Sequence, residues 1–159
     1  MNTFFLQIRL DFYLCSAKRG INLSRTKNRS AENFSNVATT LGATAVHMPL
    51  PLLQKMTPQE KSHFQIIGAS CHSLEEAKEA QNLGCTYITA GHIFLTDCKK
   101  GLPGRGLPFL EEICKTVRIP VYAIGGISSQ NMESVRKTGA AGACIMSGFM
   151  RCKTVEEIM

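Results

Sequence analysis

Apolar residues recur at every third or fourth position in four segments of the chain, which is the spacing of a helix with one buried face. The segments begin near Ser30, Ser73, Pro108 and Ser128. Ser73 and Glu76 fit a capping box, the reciprocal pairing that opens many helices. The apolar stripes of all four segments are interpreted as core.

Short apolar runs separate these helices, at residues 65–69, 87–90, 120–124 and 143–146, with an earlier run inside 41–48. Gly42, Gly84 and Gly139 follow three of the helices and are predicted to adopt the left-handed conformation that ends a helix. Strands that alternate with helices predict an α/β fold with a parallel sheet. Because no Gly-x-Gly-x-x-Gly motif opens a helix, a TIM-type (β/α) barrel is favoured over a dinucleotide-binding fold.

The length of the chain suggests that this barrel is incomplete. The chain has 159 residues, whereas barrels of this type usually need about 200 or more. We expect one domain over residues 1–159, with the first strand–helix unit missing or compressed into a poorly matching remnant at 1–27, and the last helix cut short. Truncation, completion by forming a homodimer and decay of a gene copy all remain open.

Composition excludes several classes of protein. Hydrophobic residues make up 44% and charged residues 19%, a globular balance with no apolar run of about 18 residues. The apolar start of the chain is interrupted by Arg9 and Asp11 and does not resemble a secretion signal, so a cytoplasmic protein is expected. The seven cysteines form no Cys-x-x-Cys pair, which argues against a disulfide framework or a zinc site.

The net charge of +6 is compatible with nucleic acid or with a small phosphorylated ligand. Few aromatic residues, scattered basic residues and no helix-turn-helix pattern favour the small ligand. We therefore expect no nucleic-acid partner and no membrane partner.

The stretch GHIFLTDCKKGLPGRGL, residues 91–107, is the loop most suggestive of chemistry. It follows a predicted strand and is rich in glycine and proline, and enzymes with parallel sheets place their active sites in such loops. His92 could take up and release a proton near neutral pH, and Lys99 or Lys100 could pair with a phosphate or carboxylate. Arg105 is expected to anchor the loop.

Two later stretches place small residues directly after strands: VYAIGGI at 121–127 and GACIMSG at 142–148. Barrels often bind phosphate through backbone N–H groups at these positions. Gly125 and Gly126 would let a phosphate approach the backbone, and Ser147 would add a hydroxyl group. The alternative is that the glycine pair only makes a tight turn.

These motifs, together with CHSLEEA at 71–77, resemble the thiamine phosphate synthase/TenI family, and most closely its TenI branch of thiazole tautomerases. The resemblance is strong over residues 68–149 and weaker over 28–48. It implies a TIM-type barrel that binds a thiazole phosphate. In the tautomerase branch the histidine that follows the glycine of this strand is catalytic, and the resemblance therefore implies that His92 is the catalytic residue. Synthases usually have Gly-Pro where this chain has Gly91-His92. The positions that match the family's phosphate site are Ser70, Thr96, Lys99, Gly126, Met146 and Ser147.

The synthase branch joins a pyrimidine pyrophosphate to a thiazole phosphate and uses Mg²⁺, which prefers oxygen ligands. Synthases of this family carry an Asn-Asp pair, and the corresponding positions here are Glu32-Asn33. They also carry a further aspartate shortly after the strand that ends near His47, whereas residues 48–52 of this chain contain no carboxylate. Asp11 and Asp97 are the only aspartates of the chain. The expected function is therefore a metal-independent thiazole tautomerase with no cofactor, and the alternatives are a synthase or a non-catalytic binder of thiazole phosphate.

Three further histidines are assigned lesser roles. His47 ends a strand and is predicted to line the pocket. His72, just before a helix cap, is predicted to hydrogen-bond only locally. His63 is predicted to face solvent.

Overall fold

The structure is a computed structural model that describes residues 37–145. The predicted cap at Ser30, the segment 1–27, and the expected losses at both ends of the barrel lie outside the described residues.

Five parallel strands form one sheet: β1 (Ala45–Pro49), β2 (Ile66–Cys71), β3 (Tyr87–Gly91), β4 (Val121–Ile124) and β5 (Gly142–Cys144). Each strand pairs with the next one along the chain, so the sheet order is β1-β2-β3-β4-β5. A doubly wound sheet reverses its strand order at a switch point, whereas a (β/α) barrel does not. The predicted α/β fold of the TIM type is confirmed by this order.

Five short α-helices lie between the strands: α1 (Leu50–Leu53), α2 (Pro58–Lys61), α3 (Leu74–Asn82), α4 (Gly106–Thr116) and α5 (Met132–Lys137). Residues 37–40 are also helical, and a 3₁₀ turn spans Asp97–Lys99. The stripes and the capping Ser73 predicted α3 and α4 correctly. The four-residue helices α1 and α2 are too short to show a stripe, so the sequence pattern does not predict either of them.

The predicted start of α5 at Ser128 is wrong. The helix begins at Met132, after Asn131. The Asn131 side chain accepts a hydrogen bond from the Ser128 N–H and donates one to the Gly126 carbonyl. These two bonds stabilise a turn in the segment where the helix was expected. The three predicted helix-ending glycines are confirmed, with φ of 67° at Gly42, 89° at Gly84 and 88° at Gly139.

The two faces of the sheet differ sharply. One face packs against the helices and buries aliphatic side chains, among them Met48, Ile88 and Val121. The buried Leu110 and Ile113 belong to α4, which packs against β3 and β4. The strand residues that alternate with the buried aliphatic ones form the opposite face, which we call the inner face because it corresponds to the interior of a barrel. The inner face carries polar and aromatic side chains: His47, Ser70, Tyr87, Thr89 and Tyr122.

No helix within residues 37–145 is long and apolar enough to cross a membrane.

Candidate functional site

The carboxyl ends of the five strands lie along one edge of the sheet, because all five run parallel. The loops that leave this edge after β3 and β4 contain most of the predicted site residues. In barrels of this type, catalytic and binding groups occupy this edge.

His92 is the first residue after β3, and its side chain is half-buried. The Gly91–His92 peptide bond is cis. The ring Nε2 lies 3.4 Å from the carbonyl oxygen of Leu102, which is further along the same loop. The His92 carbonyl accepts a hydrogen bond of 3.0 Å from the N–H of Arg105. The loop thus closes back on the residue predicted to be catalytic.

Arg105 anchors the loop, as predicted. Its backbone N–H binds the His92 carbonyl, and its guanidinium carbon lies 5.3 Å from the centre of the Phe109 ring in α4. A cation over an aromatic face is an attractive contact, so Arg105 connects the loop to the helix that follows it.

Gly125 and Gly126 follow β4 and pack directly against the loop that leaves β3. Gly125 has a φ of 97°, and a Cβ built on it would lie 2.4 Å from the Cβ of His92. Gly126 has a φ of 67°, and its Cβ would lie 2.4 Å from the Leu95 carbonyl oxygen. The Phe94 N–H also donates to the Gly125 carbonyl at 3.0 Å. Close packing of the loop is therefore one reason for glycine here, beyond the predicted phosphate contact or tight turn.

The same loop carries the two predicted cations. Lys99 ends the 3₁₀ turn, Lys100 follows it, and both are exposed. Thr96 precedes the turn and is half-buried. The loop therefore presents positive charge at the strand-end edge, where an anionic ligand would enter. Met146 and Ser147 lie outside the described residues.

Ser70 lies inside β2, where its hydroxyl group contacts the inner face and not a loop. Its Oγ is 2.9 Å from Nε2 of His47, and the Thr89 hydroxyl lies 3.4 Å away. The other ring nitrogen of His47, Nδ1, is 3.0 Å from the Tyr87 hydroxyl. The Tyr87 ring meets the ring of Tyr122 edge to face at 5.8 Å. His47, Ser70, Tyr87 and Thr89, the inner-face network, thus span three strands.

Burial lowers the pKa of His47 to about 4. The imidazole is therefore neutral at pH 7, when one ring nitrogen donates and the other accepts. Hydroxyl groups can take either role, so Ser70 and Tyr87 suit a neutral ring. The inner-face network therefore forms an uncharged polar surface next to the edge where the strands end.

His72 was predicted to bond only locally, and its ring does not. The ring Nδ1 lies 2.8 Å from the Gly91 carbonyl oxygen at the end of β3. The backbone N–H of His72 does bond locally, to the Glu76 carboxylate. Alignment of the strands could have revealed this contact. Cys71 lies opposite Ala90 in the sheet, so His72 and Gly91, the residues that follow them, are neighbours.

Cys71, Cys85, Cys114 and Cys144 are free thiols, and the first two behave as small core residues. Cys71 is 0% and Cys85 4% exposed. Desolvation by burial raises the pKa of Cys71 to about 12 and that of Cys85 to about 11. Both thiols are protonated at neutral pH and are poor nucleophiles, as expected for cysteines in a core.

At the end of β1, where the synthase branch has an aspartate, the described residues offer no carboxylate for a magnesium ion. Within 37–145, no three His, Cys, Asp or Glu side chains are grouped so that they could hold a metal ion. The residues at the end of β1 and in α1, positions 48–52, contribute no carboxylate. Magnesium needs such hard oxygen ligands.

The fold and the site together define a TIM-type α/β protein whose candidate site combines a strand-end histidine with a basic loop. Residues 32–149 match the family model described as "Thiamine monophosphate synthase". The chain belongs to this family, as its motifs indicated.

Curated relatives carry the name thiamine-phosphate synthase. The protein of Syntrophomonas wolfei is 33% identical over 127 residues, which is 76% of this chain and 59% of the relative. That of Pyrococcus horikoshii is 40% identical over 109 residues, 69% of this chain and 50% of the relative. The chain thus spans between half and three-fifths of the length of these relatives.

Solved structures agree with the fold. Thiamine phosphate pyrophosphorylase from Pyrococcus furiosus aligns with a TM-score of 0.63 and 30% identity, covering 84% of this chain and 75% of that one. A 3-hexulose-6-phosphate synthase aligns with a TM-score of 0.59 at 18% identity, over 79% of this chain and 63% of that one, and supports the fold alone.

Proposed function

We propose that the chain is a thiazole tautomerase that converts a non-aromatic thiazole carboxylate phosphate into its aromatic tautomer. The observation that carries this proposal is the position of His92. His92 follows β3 directly, its Cβ and backbone pack on Gly125, and it shares its loop with two exposed lysines.

The reaction needs only one group that moves a proton. His92 would remove a proton from one carbon of the ligand and return a proton to another, so the formula of the ligand is unchanged. A neutral imidazole can accept the proton, and the imidazolium can then donate it. General acid–base help of this kind contributes roughly 10²–10⁴-fold to the rate. Aromatisation supplies the driving force, and the proposed mechanism uses no metal.

The phosphate of the ligand would bind beside His92. Lys99 and Lys100 supply the positive charge, and backbone N–H groups near Gly126 are suitable donors. Thr96 lies on the same loop. The resemblance adds Ser70, Met146 and Ser147 to this set. Since the Ser70 hydroxyl contacts His47 at 2.9 Å, its part in ligand binding would require that hydroxyl to serve both partners.

Thiamine phosphate synthase activity is the second candidate, because the relatives bear that name. The absence of a carboxylate at positions 48–52 argues against it, since a departing pyrophosphate is usually stabilised by a metal held by carboxylates.

One set of assays separates these functions. Proton NMR follows the tautomer with the wild type, His92→Ala and His92→Gln, and with His63→Ala as the control, because His63 is exposed and outside the site. We expect acceleration by the wild type and by the control without added metal, and none by the His92 variants. Acceleration that survives in His92→Ala would refute the assignment.

A parallel assay offers the pyrimidine pyrophosphate and the thiazole phosphate with Mg²⁺ and measures released pyrophosphate. Release by the wild type would favour the synthase. Binding of the thiazole phosphate with neither activity would favour a non-catalytic binder.

A further inference from the structure

We infer that His72 is a positioning residue that holds His92 through the carbonyl group of Gly91. The inference rests on the proposed function, in which His92 transfers the proton. The ring Nδ1 of His72 lies 2.8 Å from the Gly91 oxygen. That oxygen belongs to the peptide group whose nitrogen is the backbone nitrogen of His92. A hydrogen bond to it therefore restrains the backbone from which the His92 side chain projects.

The carbonyl oxygen can only accept, so Nδ1 of His72 must carry the hydrogen. In a neutral ring this leaves Nε2 without one. In the imidazolium Nδ1 still carries its hydrogen, so the contact persists in both protonation states. His72 is thus suited to holding a peptide group steadily, and protonation alone would not release it.

His72 is itself held in place at the start of α3. Its backbone N–H donates to the Glu76 carboxylate, and the Ser73 hydroxyl accepts from the Glu76 N–H at 3.1 Å. The preceding residue, Cys71, ends β2 and is fully buried. The ring therefore projects from the junction between a buried strand and a capped helix. Because this junction is held in place, the His72 ring can restrain the Gly91 carbonyl group.

Other restraints on this part of the loop come from the backbone. The Arg105 N–H binds the His92 carbonyl, and the Ile93 N–H binds the Ile124 carbonyl at 2.9 Å. Neither bond can be removed by changing a side chain. The bond from His72 is made by a side chain, so substitution can test it.

The test compares His72→Ala with His72→Asn. Alanine removes the donor, whereas the asparagine amide nitrogen occupies nearly the place of Nδ1 and can donate to the same carbonyl. We expect His72→Ala to lower kcat for tautomerisation roughly tenfold to a hundredfold, the usual effect of slight misplacement, with KM changed much less. His72→Asn should recover most of kcat. His63→Ala should leave both constants unchanged.

A second readout does not need activity. Histidine labelled with ¹³C and ¹⁵N allows the chemical shifts of the His92 ring to be followed, with His92→Gln used for assignment. In His72→Ala the His92 ring signals should shift, and in His72→Asn they should stay near the wild type. Urea unfolding of each variant identifies the conditions in which it is folded.

The inference is overturned if folded His72→Ala retains the wild-type kcat and His92 signals. It is also overturned if His72→Asn is as impaired as His72→Ala. An inactive wild type would refute the proposed function alone, because the NMR comparison would still decide whether His72 positions His92.

Discussion

The Nε2 atom of His47 lies 2.9 Å from the Oγ of Ser70, which joins β1 to β2 by side chains on the inner face of the sheet. The imidazole is half-buried there, and its desolvation lowers its pKa to about 4 from the ordinary 6.5. A histidine held neutral in this way makes the stability of the fold sensitive to mild acid.

We predict that the free energy of unfolding falls as the pH falls from 6.5 towards 4. In this window the unfolded chain binds a proton at His47 that the folded chain does not bind, since the folded pKa is the lower one. The stabilisation is complete above pH 6.5 and is lost through this window, and it amounts to about 3 kcal/mol at most. Urea unfolding at several pH values measures it.

The control for this prediction is His47→Gln, which cannot titrate and should show a shallower dependence on pH. An equal slope in wild type and His47→Gln would show that His47 is not the group responsible.

Ser70→Ala should destabilise the protein by about 1–2 kcal/mol, because it removes a hydroxyl partner from the half-buried ring of His47. Urea unfolding of Ser70→Ala checks this expectation, with Ser129→Ala, a change at an exposed position, as the control. If Ser70 served only a ligand, Ser70→Ala would unfold like the wild type and would weaken only phosphate binding.

Gly125→Ala should be more damaging than Gly84→Ala, although both residues have a positive φ. At Gly84, φ is 89° and a Cβ meets nothing within 4 Å, so alanine there carries the conformational cost alone, about 1–2 kcal/mol. At Gly125 the new Cβ would also lie 2.4 Å from the Cβ of His92. We expect a larger loss of stability together with displacement of His92.

Urea unfolding and the His92 NMR signals measure these two effects. Equal costs at the two positions, with unchanged His92 signals, would mean that the loop after β3 moves aside freely.

Replacing both Lys99 and Lys100 by glutamine should weaken binding of inorganic phosphate several-fold and reduce its dependence on salt, since charge-assisted bonds are lost. Isothermal titration calorimetry at two ionic strengths tests this. Replacing both Arg136 and Lys137 by glutamine is the matched control, because it also removes two positive charges and both residues are exposed in the last turn of α5, away from the strand-end loops. Equal weakening in the control would point to net charge and not to a site.

The sequence predicted the parts of the fold that depend on local pattern. The stripe over α4, the capping Ser73 and the helix-ending glycines are properties of neighbours along the chain, and their spacing reveals them. The four-residue helices could not be found in this way. The start of α5 was misplaced because Asn131 folds back on Ser128 and Gly126, a contact that competes with an early helix start.

In the candidate site, too, some relationships follow from the order of residues and others depend on tertiary contacts. The sequence by itself determined that His92, Lys99 and Lys100 share a loop after a strand, because residue order and breaker residues decide that. Only the tertiary structure decided that Gly125 packs on His92 and that the His72 ring reaches Gly91. Only the tertiary structure placed Ser70 beside His47. The physical reason is that parallel strands bring together residues about 20 to 40 positions apart, and their register is set by the packing of the whole sheet.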